Sequence, residues 1–283
     1  MTARPYRSAL YIPGSKERAL EKARSLSVDA ILFDLEDAVS PDEKEAARAM
    51  LASALAQGGY GPRARIVRVN GLDTPWGAAD LQAAAQMKPG GVLVPKVNTP
   101  ADIESVVDQL PGVPVWAMME TPLGILNAAA IAAHPSVAGF VMGTNDLAKD
   151  LSSRAGQRRE PMLFALGACV MAARAHGIVV IDGVYNAFKD EDGLRAECAQ
   201  GRDMGFDGKS LIHPAQVAVA NAAFGPSDDD VDLARRQIAA FQDATAAGQG
   251  VAVVDGRIVE NLHIVTAQET LAKAEAIAEL SRS

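Results

Sequence analysis

The stretch Val113-Pro-Val-Trp-Ala-Met-Met-Glu120-Thr-Pro-Leu-Gly124 decides the fold of this chain. It is a short apolar run, with β-branched and aromatic residues, that ends in a carboxylate, a proline and a glycine. Buried parallel strands have this composition. The stretch therefore predicts a parallel strand that delivers Glu120 into a pocket at its carboxyl end.

A second strand of the same kind follows, Gly139-Phe-Val-Met-Gly-Thr-Asn145-Asp146-Leu147. One helix-sized segment, from Leu123 to His134, separates the two runs. A strand–helix–strand unit places the carboxyl ends of both strands at the same edge of a parallel sheet. We therefore expect Glu120 and Asp146 to face one ion.

Composition limits the classes of protein to which the chain can belong. It has 283 residues, of which 49% are hydrophobic, and a formal net charge of −8. This size and composition suit one large α/β domain with an extension. The negative charge argues against nucleic acid or an anionic membrane as partner, although local basic residues can still bind a small anion. Two cysteines form no disulfide scaffold, and no run resembles a signal peptide or a membrane span, so a cytoplasmic protein is expected.

Apolar runs of this kind recur along the chain, each followed by a helical pattern. Besides the two already described, they cover residues 8–14, 30–37, 65–71, 91–97, 178–183 and 208–213. About eight strand–helix repeats predict an α/β fold closed into a TIM (β/α)8 barrel over residues 1–224. A doubly wound open sheet is the alternative, but no G-x-G-x-x-G follows the first strand.

The placement of the polar residues also favours the barrel. At or just past the predicted strand ends lie Lys16, Glu36, Asp37, Arg68, Lys96, Glu120, Asp146, Asp182 and His213. Barrel enzymes build their active sites at this face.

Residues 225–283 exceed what eight repeats need and are predicted to form a C-terminal extension. A helix is expected from about 226 to 247 and another from about 262 to 281. Between them, residues 251–260 have the pattern of a two-stranded ribbon that turns on Asp255-Gly256.

Glu120 and Asp146 are the candidate metal ligands. Two carboxylates without a nearby cysteine or histidine favour Mg²⁺ or Mn²⁺ over zinc. Taken singly, Asp146 could instead cap the helix that follows it, and Glu120 could form a buried ion pair. Their placement on adjacent strand ends favours the metal site.

Arg68 is interior to its strand by alternation, and a buried arginine requires a negative partner. In a metal pocket its guanidinium suits a substrate carboxylate or a developing oxyanion. The alternative is a structural pair with Glu36 or Asp37. We otherwise place these two acids in a second layer that holds metal-bound waters and the arginine, although either could cap the following helix.

Four further positions have two interpretations each. Lys16 and Lys22 follow the first strand and suit either the phosphates of a long anionic ligand or a solvated helix face. His213, which precedes Pro214, is expected to line the pocket rather than to act as a general base. A Schiff-base role for Lys96 is disfavoured because a metal pocket already supplies the electron sink.

Six motifs, in order, resemble the citrate lyase β-subunit-like (HpcH/HpaI aldolase) family, which contains malyl-CoA and citramalyl-CoA lyases. They are YIPGSK (11–16), FDLEDAV (33–39), RVNGLDT (68–74), MMETPLG (118–124), GTNDL (143–147) and GKSLIHP (208–214). Within the family, residues 11–23 and 182–188 are most similar to the thioester-hydrolysing members.

The resemblance implies a metal-dependent barrel that acts on acyl-CoA thioesters of hydroxy-diacids. Mg²⁺ would be held by Glu120 and Asp146, with Arg68 on the thioester or carboxylate oxygen. The positions that match coenzyme A contacts are Tyr11, Lys16 and Lys22, and those that match the acyl site are Asn145, Asp146, Ile212 and His213. The resemblance also implies a homotrimer or hexamer in which the C-terminal extension covers a neighbouring subunit's active site.

One position departs from the family's pattern. The lyases place a catalytic aspartate after Gly-Arg-Ile/Leu-Val, and this chain has Glu260 there. The extra methylene displaces the carboxylate by about a bond length, which is enough to disturb an aligned proton transfer. A displaced carboxylate could activate water against the thioester carbonyl instead.

We therefore hypothesise that the chain hydrolyses (3S)-malyl-CoA to malate and CoA, with Arg68 and Glu260 as catalytic residues. Three alternatives stay open. Glutamate could replace aspartate with the lyase chemistry intact. The chain could be a citrate lyase β subunit that acts on an acyl-carrier thioester, or a non-catalytic acyl-CoA-binding protein.

Overall fold

The computed structural model describes residues 4–154 and 159–282. Its main sheet has the strands β1 (Ser8–Pro13), β2 (Ala30–Asp34), β3 (Ala64–Arg68), β4 (Gly91–Val94), β5 (Val115–Met119), β6 (Val137–Met142), β7 (Val179–Asp182) and β8 (Gly208–Leu211). Every neighbouring pair is parallel, and β1 pairs with β8, so the sheet closes. The α/β TIM (β/α)8 barrel is thus confirmed, and the open doubly wound sheet is excluded.

The inward faces of the strands fill the barrel with apolar side chains. The buried members of this core are Ala9, Ala30, Leu32, Ile66, Leu93, Trp116, Met118, Val141 and Ile181. Burying a leucine or isoleucine side chain in this way contributes about 1.5–3 kcal/mol.

The same alternation that builds this core places charges above it. Side chains two residues apart on a strand share a face. Asp34, Arg68 and Glu120 each lie two residues beyond a core residue of the same segment, namely Leu32, Ile66 and Met118. The two-residue alternation of these strands therefore places both the apolar core and the charged residues above it on the inward face of the barrel.

Helices follow the barrel strands along the chain. They are α1 (Glu17–Ala23), α2 (Lys44–Gln57), α3 (Gly77–Met87), α4 (Pro100–Val107), α5 (Pro122–Leu126), α6 (Ala128–Ala132), α7 (Thr144–Asp150), α8 (Leu163–His176), α9 (Glu191–Met204) and α10 (Val217–Phe224). Short 3-10 turns cover Pro41–Glu43, Glu160–Met162 and Pro214–Gln216.

The segment between β5 and β6 differs from the single helix that its length predicts. It forms two short helices, α5 and α6, that meet at Asn127, whose φ is −97° and ψ is 8°. The Asn127 side chain donates a hydrogen bond to the carbonyl of Asn98 at 2.8 Å. The break between the two helices therefore coincides with a side-chain bond from Asn127 to the loop after β4.

The chain divides into two compact units, the barrel over residues 6–221 and a second unit of residues 4–5 and 222–282. The second unit contains α11 (Asp228–Ala246), the antiparallel strands β9 (Ala252–Val254) and β10 (Arg257–Val259), and α12 (Asn261–Arg282). Its core members are Ala244, Ala252, Val254, Val259 and Ile264.

The ribbon of the second unit turns where the sequence predicts. Asp255 and Gly256 both have positive φ, of 50° and 73°. Two-residue turns of this kind match the twist of paired strands and favour the Asp-Gly dipeptide. The helix–ribbon–helix extension is confirmed, whereas its predicted role over a neighbouring subunit's site stays a prediction. Within the described residues, no helix is both long and apolar enough to cross a membrane.

Candidate active site

A cavity of about 300 Å³ lies at the carboxyl ends of the barrel strands. Seven residues proposed from the sequence line it, namely Tyr11, Asp37, Arg68, Glu120, Asn145, Asp146 and Ile212. They come from the ends of β1, β3, β5 and β6 and from the loops after β2 and β8. The fold therefore brings together segments that are far apart in the sequence.

Glu120 lies at the base of this cavity and is 2% exposed. Its Oε1 accepts a hydrogen bond from the backbone N–H of Lys96 at 2.8 Å. The pKa of Glu120 is raised to about 7, mainly by burial and to a smaller extent by the carboxylates of Glu36 and Asp146, against the opposing effects of the Lys96 N–H and the Arg68 charge. Among the described residues no cation forms an ion pair with Glu120.

The end of β6 is shaped to admit the Glu120 side chain. A Cβ atom at Gly143 would lie well inside van der Waals contact of both Oε2 and Cβ of Glu120. Glycine is favoured where a group must approach the backbone this closely. The Gly143 of the GTNDL motif therefore makes room for the candidate metal ligand.

Asp146 lies in the first turn of α7, which begins after Gly143 and has no side-chain cap hydrogen bond. The carboxylate therefore does not cap the helix, the alternative that the sequence left open. Asp146 is half-buried and lines the same cavity as Glu120. Its charge is one of the causes that raise the pKa of Glu120.

The donor set fits a hard divalent cation. Glu120 and Asp146 supply carboxylate oxygens only, and two like charges in one cavity favour a positive ion between them. No group of three His, Cys, Asp or Glu side chains in the described ranges is arranged to hold a metal. A site with two protein ligands suits Mg²⁺, which usually keeps several waters.

Arg68 forms the opposite wall of the cavity and is 8% exposed. Asp34 accepts two hydrogen bonds from it, from Nε at 2.8 Å and from Nη2 at 2.6 Å. The Nη1 atom lies 2.7 Å from Glu36 Oε2, and the guanidinium carbon is 4.8 Å from the centroid of the Tyr11 ring. The guanidinium is thus held by two acids and one aromatic face.

The bidentate partner Asp34 was not among the site residues proposed from the sequence. It follows Leu32 by two residues and belongs to the inward face of β2. The alternation that places Arg68 inward could have identified it, because adjacent strands β2 and β3 align Asp34 with Arg68.

Glu36 and Asp37 differ in their surroundings. Glu36 is buried, and its Oε2 has the ion contact with Arg68 but no aligned hydrogen bond in the described structure. Burial raises the pKa of Glu36, the Arg68 charge lowers it, and Asp37 and Asp34 raise it again. Asp37 is exposed at the cavity edge, 3.9 Å from Arg68. Both therefore lie around the arginine, as a second layer would.

Lys96 contributes a positive charge at the cavity edge as well as its backbone N–H. Partial burial lowers the pKa of its ammonium group, but the nearby carboxylates of Glu36, Asp146 and Glu120 raise it by more. A protonated lysine does not form a Schiff base. The raised pKa of Lys96 therefore also argues against a Schiff-base role for it. We refer to Asp34, Glu36, Asp37, Arg68, Lys96, Glu120 and Asp146 as the mouth cluster.

A buried lysine supports the mouth cluster from below. The Lys44 ammonium donates to the carbonyl oxygens of Leu35 at 2.9 Å and Glu36 at 2.7 Å, and to Asn70 Oδ1 at 2.8 Å. Burial lowers the pKa of this ammonium, and nearby acids led by Asp34 oppose that effect. Lys44 thus fixes the loop that carries Glu36. The sequence predicts a helix at Lys44 but not these contacts of its side chain.

Three of the residues predicted to contact the substrate do not line the cavity. Lys16 is exposed, with Nζ 3.4 Å from Glu43, and Lys22 is exposed on α1. The His213 ring stacks on Phe188 at a centroid distance of 4.5 Å, and its Nδ1 accepts the backbone N–H of Ala215 at 3.2 Å. His213 therefore serves locally as a cap of the turn after β8.

Glu260 belongs to the second unit. It is exposed, follows β10 and precedes α12. Its backbone N–H donates to His263 Nδ1 at 3.0 Å. Its carboxylate makes no hydrogen bond or ion pair within the described residues, so it is available to a proton donor.

Asp182 points away from the cavity, although the sequence grouped it with the residues at the mouth. It is fully buried, and its oxygens lie 2.6 Å from Arg159 Nη1 and 3.1 Å from Lys209 Nζ. Glu197 lies 2.6 Å from the same lysine and 3.7 Å from the arginine. We call Arg159, Asp182, Glu197 and Lys209 the outer network. Because Ile181 takes the inward position, its neighbour Asp182 must face out.

A separate cavity of about 440 Å³ lies beside the outer network. Its walls include Tyr185, Asp190 and Glu197. Tyr185 donates to Asp190 at 2.6 Å, and the charges of Arg159 and Glu197 are paired within the network. The charged groups described in the wall of this larger cavity are thus already engaged with one another, and the smaller cavity is the candidate site.

Comparison with known proteins places this geometry in context. Residues 7–214 match the profile of the HpcH/HpaI aldolase/citrate lyase family. The (3S)-malyl-CoA thioesterase of Cereibacter sphaeroides (strain ATCC 17029 / ATH 2.4.9) is 66% identical over 98% of this chain and 97% of its own length. The citrate lyase β subunit of Escherichia coli (strain K12) is 35% identical over 96% of this chain and 94% of its own.

A solved structure supports the same relationship. The CitE protein of Mycobacterium tuberculosis, in complex with magnesium, acetoacetate and coenzyme A, superposes with a TM-score of 0.82 at 28% identity. The superposition covers 97% of this chain and 100% of that one. The likeness therefore extends over the barrel and the second unit alike.

Proposed function

Because this chain belongs to the HpcH/HpaI aldolase/citrate lyase family, we propose that it hydrolyses the thioester of (3S)-malyl-CoA to malate and CoA with the help of a divalent cation. The observation that supports this most is the 66% identity to a (3S)-malyl-CoA thioesterase over 98% of the chain. The cavity adds the chemistry, since it combines two unpaired acids with one buried guanidinium.

Glu120 and Asp146 would hold the cation, which we propose to be Mg²⁺, with Mn²⁺ as the alternative. Both offer oxygen ligands, and the raised pKa of Glu120 reflects its burial first and then the nearby negative charges of Glu36 and Asp146, which a bound cation would offset. When bound, Mg²⁺ would supply Lewis-acid polarisation of the thioester carbonyl and offset negative charge that develops on its oxygen.

Arg68 is proposed to donate to the same carbonyl oxygen or to the acyl carboxylate. Asp34 occupies Nε and Nη2, and Glu36 contacts Nη1, which leaves an N–H on each terminal nitrogen for the substrate. Since both acids and Tyr11 fix the guanidinium before the substrate arrives, little reorganisation is needed when negative charge develops.

Glu260 is proposed as the general base that takes a proton from the attacking water onto a carboxylate oxygen. We propose further that it reaches the cavity of a neighbouring subunit, in a homotrimer or hexamer in the cytoplasm. Asn145, Ile212 and His213 would contact the acyl group, with Tyr11, Lys16 and Lys22 towards coenzyme A.

Product analysis tests the proposal directly. The purified protein, Mg²⁺ and (3S)-malyl-CoA should yield malate and free CoA, measured by chromatography and by thiol release. EDTA should abolish turnover and added Mg²⁺ should restore it. Acetyl-CoA and glyoxylate as the main products would show lyase chemistry instead. Turnover of only an acyl-carrier thioester would indicate a citrate lyase β subunit.

A single substitution then tests the base. In E260D the shorter side chain should lower hydrolysis and raise the share of acetyl-CoA and glyoxylate among the products. E260Q, which cannot accept the proton, should lower both reactions. Unchanged hydrolysis in E260Q would remove Glu260 from the mechanism.

A further inference from the structure

Lys96 has an unusual main-chain conformation for a residue with a side chain. Its φ is +51°, in the left-handed region that favours glycine. The residue directly follows the β4–Pro95 segment and lies at the edge of the mouth cluster. Strained backbone of this kind persists only where its surroundings fix it, and it is concentrated at functional sites.

The neighbouring loops hold Lys96 in this conformation. Asn98 Nδ2 donates to the Lys96 carbonyl at 3.0 Å, and Asn98 Oδ1 accepts from Thr121 Oγ1 at 2.6 Å. Asn127 Nδ2 donates to the Asn98 carbonyl at 2.8 Å. The loop after β4 is thereby joined to the first turns after β5, the strand that delivers Glu120.

A close backbone approach also holds the loop after β4 against the segment after β5. A Cβ atom at Gly124 would overlap the Val97 carbonyl oxygen. Only glycine therefore lets α5 pack against the residue that follows Lys96. The strain at Lys96 is thus maintained by several independent contacts, one within the loop after β4 and the others between that loop and the segment after β5.

The consequence is the direction of one N–H group. In its left-handed conformation Lys96 points its backbone N–H at Glu120 Oε1, at 2.8 Å. One oxygen of that carboxylate is then occupied, and Oε2 lies over Gly143, on the side of β6 and Asp146. Because the chain is anchored on both sides, by β4 before Lys96 and by the Asn98 and Gly124 contacts after it, a residue held at negative φ would have to rotate the rigid 95–96 peptide and turn its N–H away from Oε1.

We propose that Lys96 is a positioning residue whose left-handed main chain fixes Glu120 so that a single oxygen, Oε2, is presented to the divalent cation. The proposal rests on the metal-dependent function proposed above. It assigns the role to the backbone of Lys96 and separates that role from the charge of its ammonium group.

Two substitutions separate backbone from charge. K96G and K96V both remove the ammonium, but glycine accepts φ near +51° whereas a β-branched valine resists it. By isothermal titration with Mg²⁺ and no substrate, K96G should bind as tightly as the unmodified protein or more tightly, since a positive charge is lost. K96V should bind about tenfold more weakly than K96G, as is usual when a ligand loses its orienting partner.

The chain contains a matched control. Lys88 ends α3 with φ of +49° and is exposed, and it is absent from the lining of the cavity. K88V should lose as much stability relative to K88G as K96V loses relative to K96G, measured by urea unfolding. The two Lys88 variants should nevertheless bind Mg²⁺ equally well.

K96P is the most direct test of the hydrogen bond to Glu120, because proline has no N–H and cannot adopt a positive φ. Provided that it folds, it should bind Mg²⁺ at least tenfold more weakly than K96G. Equal affinity in folded K96P and K96G would overturn the proposal. If K96P fails to fold, equal affinity in K96V and K96G would overturn it. Absence of Mg²⁺ binding in the unmodified protein would instead count against the metal-dependent reaction itself.

Discussion

The mouth cluster and the outer network each include an acid at the carboxyl end of a barrel strand, but they differ in charge balance. The outer network sets two acids against two bases, and each acid lies within 3.1 Å of a base. The mouth cluster sets five acids against Arg68 and Lys96. Only the outer network is balanced in charge.

This difference in charge balance is the reason for proposing the mouth cluster, rather than the outer network, as the catalytic site. A buried acid that is paired and hydrogen-bonded is consistent with a structural role. A buried acid without a cationic partner has a raised pKa, as Glu120 does, and such residues are concentrated at functional sites. The unbalanced cluster is therefore the one that we propose to bind a cation from solution.

The first prediction, with the largest effect, is that E120Q nearly abolishes turnover while leaving the fold intact. The amide keeps the shape of the side chain but removes the charge that holds the cation. Loss of several kcal/mol of transition-state stabilisation corresponds to a fall of roughly 10³-fold in kcat/KM. Release of CoA measured with a thiol reagent would check this.

The stability of E120Q sharpens the comparison. Because Glu120 has no ion-pair partner in the described structure, the metal-free variant should be at least as stable to urea as the metal-free parent. A marked loss of stability would mean that Glu120 belongs to a balanced structural network after all.

The second prediction is that D182N, unlike E120Q, lowers the stability of the protein and leaves its Mg²⁺ affinity unchanged. Removing this charge leaves Lys209, which is fully buried, with Glu197 as its one remaining acid. Breaking a buried pair in this way costs about 3–5 kcal/mol of unfolding free energy. Urea unfolding measures that loss, and the variant that remains folded should keep its Mg²⁺ affinity.

An exposed ion pair serves as the control for D182N. Glu191 and Arg195 pair on the surface of α9, with side chains 63% and 58% exposed. E191Q should therefore cost less than about 1 kcal/mol. Equal losses in D182N and E191Q would show that the outer network contributes no more than a surface pair.

The barrel could be predicted from the sequence because each strand has two recognisable features, an apolar run and the polar residue that ends it. Arg68, Glu120 and Asp146 could be predicted for the same reason, since alternation and strand order place them at one mouth. The two regions differ here by a single residue of register. Asp182 adjoins the inward Ile181, whereas Asp34 shares the face of Leu32.

Other features could not be predicted because they depend on the exact path of loops. The hydrogen bond from the Lys96 N–H to Glu120 accompanies a positive φ at Lys96. Sequence patterns predict a positive φ mainly at glycine, so they do not predict it here. The Lys44 bonds to two carbonyls join segments whose spacing follows no period. The break at Asn127 coincides with a bond to the carbonyl of Asn98, which only the folded barrel brings near.

The third prediction has the smallest effect and uses pH to distinguish the two clusters. The pKa of Glu120 is raised by burial from 4.5 to about 7 in the metal-free protein. Binding of Mg²⁺ must then displace a proton at lower pH, so affinity should fall about tenfold per pH unit below 7 and level off above it. Titration calorimetry between pH 5.5 and 8 measures this slope.

The same shift has a defined sign for stability. The folded state binds the Glu120 proton more tightly than the unfolded state, so this residue stabilises the metal-free protein below pH 4.5. That contribution is lost as pH rises through about 7, and E120Q should lose this part of the pH dependence whereas D182N should keep it. An Mg²⁺ affinity that stays constant between pH 5.5 and 8 would mean that Glu120 is already ionised, and that the mouth cluster is balanced by charges within the protein.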